Sequence, residues 1–252
     1  MKPSKSPATS ITTLFWAGDS RREIRAPIGV TGARDKIEFW MGNNEDGLVV
    51  SSALLAGKPG AGKSYTLHAI ITSLAMKYSP DELELYLLDF KEGVEFQLYI
   101  DPEQSEQSSQ EPNENRSLPH AKVISIAFDR EFGLSVLQQV QKQIEERANK
   151  FKTPGVNVEN LKQYQDKTGE KMPRMLVVID EFQYMFQERG SITDGLNLIF
   201  GDIIRRGRAF GIHLLLASQS PNVPNMSNTL YSYIDLRMAM QMDRSTANSV
   251  LA

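Results

Sequence analysis

The chain has 252 residues, 40% hydrophobic and 23% charged, with a net charge of −3, an ordinary globular balance with length enough for a full core. No apolar run approaches the ~18 residues of a membrane span, there is no cysteine for disulfides or thiolate metal sites, and the polar N-terminus MKPSKSPATSITT lacks the apolar core of a secretory signal. The three histidines (His68, His120, His213) are scattered, and a nucleic-acid partner would have to be met by a local basic patch rather than by bulk charge.

Residues 1–35 read as a linker or edge segment ahead of one domain over 36–252. KIEFWMG (36–42) and LVVSSALLAG (48–57) read as strands. Ser64 to Tyr78 reads as a helix with Leu67, Ile70, Ile71, Leu74 and Tyr78 on one face. ELYLLDF (84–90) and KVISIAF (122–128) read as buried strands, separated by DPEQSEQSSQEPNENRS (101–117), which has five acids, one arginine and no apolar side chain to bury. That segment is expected as a mobile acidic surface insertion. A long amphipathic helix follows, with Leu137, Val140, Ile144, Ala148 and Phe151 three or four apart and Asp129 as its N-cap. RMLVVIDEF (174–182) is the most apolar strand, then come a helix near 194–208 and the strands GIHLLLASQ (211–219) and DLRMAMQM (235–242). Strands alternating with helices predict an α/β fold with a mostly parallel sheet covered on both faces.

One motif carries specific chemistry. Gly57, Lys58, Pro59, Gly60, Ala61, Gly62, Lys63 and Ser64 spell GxxxxGK[ST] between a strand and a helix, and Tyr65 is counted with the same nucleotide-binding segment. Glycines let backbone N–H groups turn inward around phosphate oxygens, and the helix start adds its positive dipole end. Lys63 would meet the β- and γ-phosphates of ATP, and Ser64 would offer its hydroxyl to Mg²⁺. A glycine-rich turn with a chance lysine is the competing explanation, and the strand before and helix after argue against it.

A phosphate loop needs an acid for the metal. Asp180 sits at the carboxyl end of the apolar strand 174–182, at the ligand edge of a parallel sheet, where it would hold Mg²⁺ through water. Glu181 directly after it could polarise the attacking water. Gln219 ends the strand 211–219, a position from which a polar side chain could reach the γ-phosphate. Arg205, Arg206 and Arg208 are either a solvated face or the source of an arginine finger acting on a neighbour's nucleotide.

These residues resemble the FtsK/SpoIIIE/HerA branch of P-loop motors. The resemblance rests on LLAGKPGAGKS, YSPDELELYLLDFKEGVEF, LPHAKVISIAFDREFGLSVLQQVQKQIEERANKF, GVNVENLKQYQ, MPRMLVVIDEFQYMF and IIRRGRAFGIHLLLASQSP in this order, over about residues 36 to 252. It implies a RecA-like core of the additional-strand, catalytic-glutamate type, with an extra strand between the phosphate-loop strand and the acidic strand. It also implies a homohexameric ring that hydrolyses ATP and pumps double-stranded DNA through its hole. By position, Lys63 and Ser64 fall in the phosphate and metal site, Asp180 on the metal, Glu181 at the catalytic base and Gln219 at the sensor. Arg206 or Arg208 becomes the trans-acting finger.

The chain also departs from that pattern. The family usually carries Thr-Gln-Arg-Pro where this chain has Ser218-Gln-Ser-Pro221. The loops expected to line the pore, 187–195 and 221–228, hold a single cation between them, Arg189, whereas phosphate tracking draws on lysine and arginine. The chain is expected to be a piece trimmed on its C-terminal side, a cytoplasmic module whose membrane tether, if any, lies elsewhere. Two other functions compete with DNA translocation: a polypeptide-export ATPase of the type VII secretion kind, with a protein partner, and an ATP-gated switch or scaffold.

Overall fold

A computed structural model describes residues 15–32, 34–91, 94–100, 117–125, 129–220 and 223–251. Its centre is a six-stranded sheet built from β4 (Ser52–Ala56), β5 (Leu83–Asp89), β6 (Ala121–Ser125), β7 (Arg174–Asp180), β8 (Ile212–Ser218) and β9 (Leu236–Ala239). The strand order is β6-β5-β7-β8-β4-β9, and every pairing is parallel. β8 therefore lies between the phosphate-loop strand β4 and the acidic strand β7, which is the expected additional-strand topology.

Side chains of a strand alternate between faces, and here both faces are buried. Met175, Val177 and Ile179 of β7 join one apolar cluster, Leu176 and Val178 the other. The first cluster is closed by α2 (Arg130–Phe151) and α4 (Ser191–Arg206). The second is closed by α1 (Lys63–Lys77), through Leu67, Ile70, Ile71 and Leu74, together with Tyr78 just beyond its end. This double burial is why β7 and β8 read as unbroken apolar runs. Asp129 caps α2 as expected, accepting from the Glu131 N–H at 2.9 Å. On the buried face of α2, however, Arg147 is more deeply enclosed than Ala148, because its guanidinium donates to the Phe210 carbonyl at 2.7 Å. Among the described residues no helix is long and apolar enough to cross a membrane.

Four expectations meet a different structure or fall, in whole or in part, outside the described residues. LVVSSALLAG is not one strand: Val49–Val50 form β3, antiparallel to β2 (Asp35–Asn43), and only β4 enters the parallel sheet. The break falls at Ser51, whose N–H goes to the Asp235 carboxylate at 2.7 Å and whose hydroxyl goes to the Ile204 carbonyl at 3.0 Å. Within the stretch read as linker or edge lies β1 (Glu23–Thr31), antiparallel to β2 in a small three-stranded sheet. Most of the acidic segment 101–117 lies outside the described residues, as does the end of the predicted strand 122–128. Short helices α3 (Leu161–Thr168), α5 (Asn228–Ser232) and α6 (Arg244–Leu251) complete the described α-helices, and 3₁₀ turns lie at Gln97–Tyr99, Phe182–Phe186 and Gly207–Phe210.

Candidate functional site

Three turns converge at the carboxyl ends of β4, β7 and β8. The first is 57–62, between β4 and α1. Gly60 and Gly62 are left-handed, with φ of 77° and 93°, a conformation glycine enters without a Cβ penalty. Gly57 is constrained by contact instead: a Cβ there would stand 2.7 Å from the Met240 Cβ. Met240 is fixed over the loop by its N–H on the Ala56 carbonyl, at 2.7 Å. Helix α1 begins with no side-chain cap on Gly62 and no acid in its first turn. Its first N–H groups and positive dipole end are thus open to an anion. Ser64 is half-buried beside Lys63, whereas Tyr65 is 84% exposed on the outside of the first turn.

The second turn follows β7. Glu181 takes a left-handed backbone (φ 51°, ψ 41°), rare for a residue with a Cβ and concentrated at functional sites. It opens a tight 3₁₀ turn, Phe182–Phe186, that the buried Phe182, Met185 and Phe186 anchor in the core. Asp180 and Lys63 form a buried ion pair, and the Lys63 Nζ also lies 3.1 Å from Glu181 Oε1. Burial raises the Asp180 pKa to about 6 against the pull of Lys63, with Glu181 and Asp89 adding to the rise. Burial also works against charge on Lys63, but Asp180 and Glu181 outweigh it and hold its pKa above the ordinary lysine value.

The third turn follows β8, and here the Gln219 backbone N–H donates to Glu181 Oε2 at 3.2 Å. The fold therefore gathers Lys63, Ser64, Asp180, Glu181 and the Gln219 backbone at one edge. Ser64 and Asp180 carry hard oxygens of the chemical kind that suits Mg²⁺, which usually keeps substrate phosphates and waters as its other ligands. No group of three or more His, Cys, Asp or Glu collects into a separate metal cage among the described residues.

Two neighbours of this site went unnominated from sequence. Asp89 ends β5 directly in register with Asp180, buried, and accepts from the N–H groups of Lys91 and Glu95 at 2.9 and 3.1 Å. The signal that found Asp180, an acid at the carboxyl end of an apolar strand, was equally present there. Gln183 donates its Nε2 to Glu181 Oε2 at 2.5 Å, and no sequence pattern pointed to it.

The arginines are not brought to this edge. Arg206 ends α4, and Arg208 lies in the turn leading into the amino end of β8, which is 7 residues long. At ~3.3 Å per residue that is roughly 20 Å from the glutamate. Arg206 is held by both carboxylate oxygens of Asp202, each at 2.9 Å, one helical turn back. Arg208 donates to the neutral side-chain oxygen of Asn43 at 2.8 Å.

The model of the FtsK/SpoIIIE family matches residues 19–251. A DNA translocase FtsK of Helicobacter pylori strain J99 is 29% identical over 201 residues, 79% of this chain and 21% of that protein. The ESX secretion system protein EccC of Geobacillus thermodenitrificans is 26% identical over 247 residues, 96% of this chain and 15% of that protein. The chain thus spans about a fifth or less of the length of these relatives. Among solved structures, the cytoplasmic domain of the type VII secretion ATPase EccC of Thermomonospora curvata superposes with a TM-score of 0.69 at 22% identity, covering 98% of this chain and 27% of that one. The pCW3 conjugation coupling protein TcpA, in a monomer form with ATPγS, gives 0.65 at 20% identity, covering 94% and 59%. At such identities these two show the fold alone.

Proposed function

The chain belongs to the FtsK/SpoIIIE family, and from that premise we propose that it is the ATP-hydrolysing module of a cytoplasmic ring motor that moves double-stranded DNA. The observation that carries the ATPase reading is the buried set Lys63, Asp180 and Glu181 beneath a glycine loop and an uncapped helix start. The loop amides and Lys63 would hold the phosphates of ATP, and those phosphates would compete with the two carboxylates for Lys63. Ser64 and Asp180 would hold Mg²⁺, which when bound offsets the charge of the phosphates. Glu181 would accept a proton from the attacking water, with Gln219 beside it. Arg206 and Arg208 cannot serve their own subunit's site across the length of β8. A second copy of this chain could receive one of them, and Arg208 is favoured because among the described residues its partner is the neutral Asn43 side chain, whereas Arg206 is held by the Asp202 carboxylate.

A second reading, polypeptide cargo, is favoured by the surface of the loops beyond β7 and β8. Glu188 and Asp194 are exposed there, while Arg189 is tied to the Asn225 side chain at 3.0 Å. Such a surface has little to offer a phosphate backbone beyond its amides and polar side chains.

The deciding experiment is the steady-state ATPase rate against protein concentration, with and without long double-stranded DNA or an unstructured basic peptide. Cooperative turnover raised several-fold by DNA supports the first reading. Stimulation by the peptide alone replaces it with the second. Bound ATP without turnover under any condition points to the switch or scaffold.

A further inference from the structure

Gln183 touches the carboxylate on which the proposed chemistry depends. Its Nε2 donates to Glu181 Oε2 at 2.5 Å, and the Gln219 N–H reaches the same oxygen at 3.2 Å. Glu181 Oε1 is treated differently: it is buried, has no hydrogen-bond partner among the described residues, and faces the Lys63 Nζ at 3.1 Å. The last torsion of a glutamate is broad and two-fold, so nothing intrinsic to the side chain keeps its two oxygens apart in role. The amide does. Its nitrogen must face Oε2, because an amide oxygen at that distance would meet a carboxylate oxygen.

The local backbone explains how Gln183 comes to be there. Glu181 is left-handed and starts the 3₁₀ turn, with the Tyr184 N–H on the Glu181 carbonyl at 3.0 Å. The turn carries the chain back on itself, and residue 183 returns over residue 181. Gln183 Oε1 is itself buried with no partner among the described residues. An unpaired buried acceptor is a cost to the fold, so the amide is oriented by Glu181 and not by the needs of its own oxygen.

We propose that Gln183 is a positioning residue for ATP hydrolysis, pinning Oε2 of Glu181 so that Oε1 is the oxygen presented toward Lys63 and the phosphate loop. This rests on Glu181 being the base of the reaction. Gln183→Met keeps the length of the side chain and loses the donor.

The experiment compares wild type, Gln183→Met, Glu181→Gln and the double variant in steady-state and single-turnover ATPase assays, with fluorescent ATP binding and thermal unfolding alongside. Expected are a kcat about 10-fold lower for Gln183→Met with KM for ATP within about 2-fold, and a double variant no slower than Glu181→Gln alone, since a pin has no effect once the base is gone. Wild-type kcat in Gln183→Met, with Glu181→Gln inactive, overturns the inference and leaves the ATPase reading standing. Full turnover in Glu181→Gln removes the base assignment and both ideas with it. Lost ATP binding or a collapsed melting transition in Gln183→Met assigns the amide to the fold and also overturns the inference.

Discussion

At the carboxyl edge of the six-stranded sheet, Lys63, Asp180 and Glu181 are buried against one another. At the amino edge, Arg174 is buried just as deeply, but its donors go to the carbonyls of Ser20, Arg21 and Arg22 and to His213 Nε2 at 2.9 Å. Arg174 can only donate, so His213 Nε2 must be the acceptor, and Nδ1–H is left to donate to the Ser51 carbonyl at 3.1 Å. One edge closes its polar groups against the backbone. The other leaves Gln183 Oε1 without a hydrogen-bond partner among the described residues, sets Glu181 Oε1 against the Lys63 ammonium at 3.1 Å, and couples its charges to each other. Backbone carbonyls are fixed in number and place, so the amino edge is a clamp, strapping the segment before β1 to the start of β7. Side-chain charges can exchange partners, which is what a site must do when phosphate arrives.

The contrast can be broken by substitutions at either edge. The largest effect is expected at the carboxyl edge: Glu181→Gln should keep ATP binding and lower turnover by ~10²-fold or more, the loss of a positioned general base, with its melting temperature close to wild type. Near-normal turnover would place the base elsewhere. At the amino edge the reverse pattern is expected. Arg174→Met should leave three carbonyls and one imidazole nitrogen without their donor and cost about 2–3 kcal/mol in chemical unfolding, while the folded fraction keeps its affinity for ATP. A variant as stable as wild type would mean that water replaces the clamp.

Arg208→Ala should sharpen the boundary between the two edges. ATP binding at low protein concentration should be unchanged, and the rise of specific activity with concentration should fall by about 10-fold. An unchanged concentration profile would remove Arg208 from any neighbour's site. The smallest effect is one of pH. Burial, and then the charge of Arg174, push the His213 pKa down to about 3. The folded state therefore binds fewer protons than the unfolded chain between that value and ~6.5, and stability falls as pH drops through this window. Between pH 7 and 5.5 the wild type should lose about 1 kcal/mol more than His213→Gln in unfolding titrations. Parallel curves would mean that His213 is protonated in place.

The parts of the fold legible in sequence are those where one local pattern has one tertiary consequence. The apolar runs of β7 and β8 are short and rich in branched residues, which favours strands buried on both faces, and the loop between β4 and α1 turns through its glycines. β1 was illegible because just Ile24 and Ala26 among its residues are buried, and its register shifts between Pro27 and Gly29. The run 48–57 looked continuous because sequence does not show that Ser51 sends its hydrogen bonds to Asp235 and Ile204.

By itself the sequence determined the glycine loop, the strand-end acids and the order of elements, since each depends on neighbours a few residues away: backbone freedom, side-chain alternation and helix periodicity act locally. Only the tertiary structure decided which charges meet. Lys63 and Asp180 stand 117 positions apart, Gln183 reaches Glu181 through a left-handed turn, and the arginines fall a full strand length from the acids. These juxtapositions follow from strand order and register, which the whole core fixes at once.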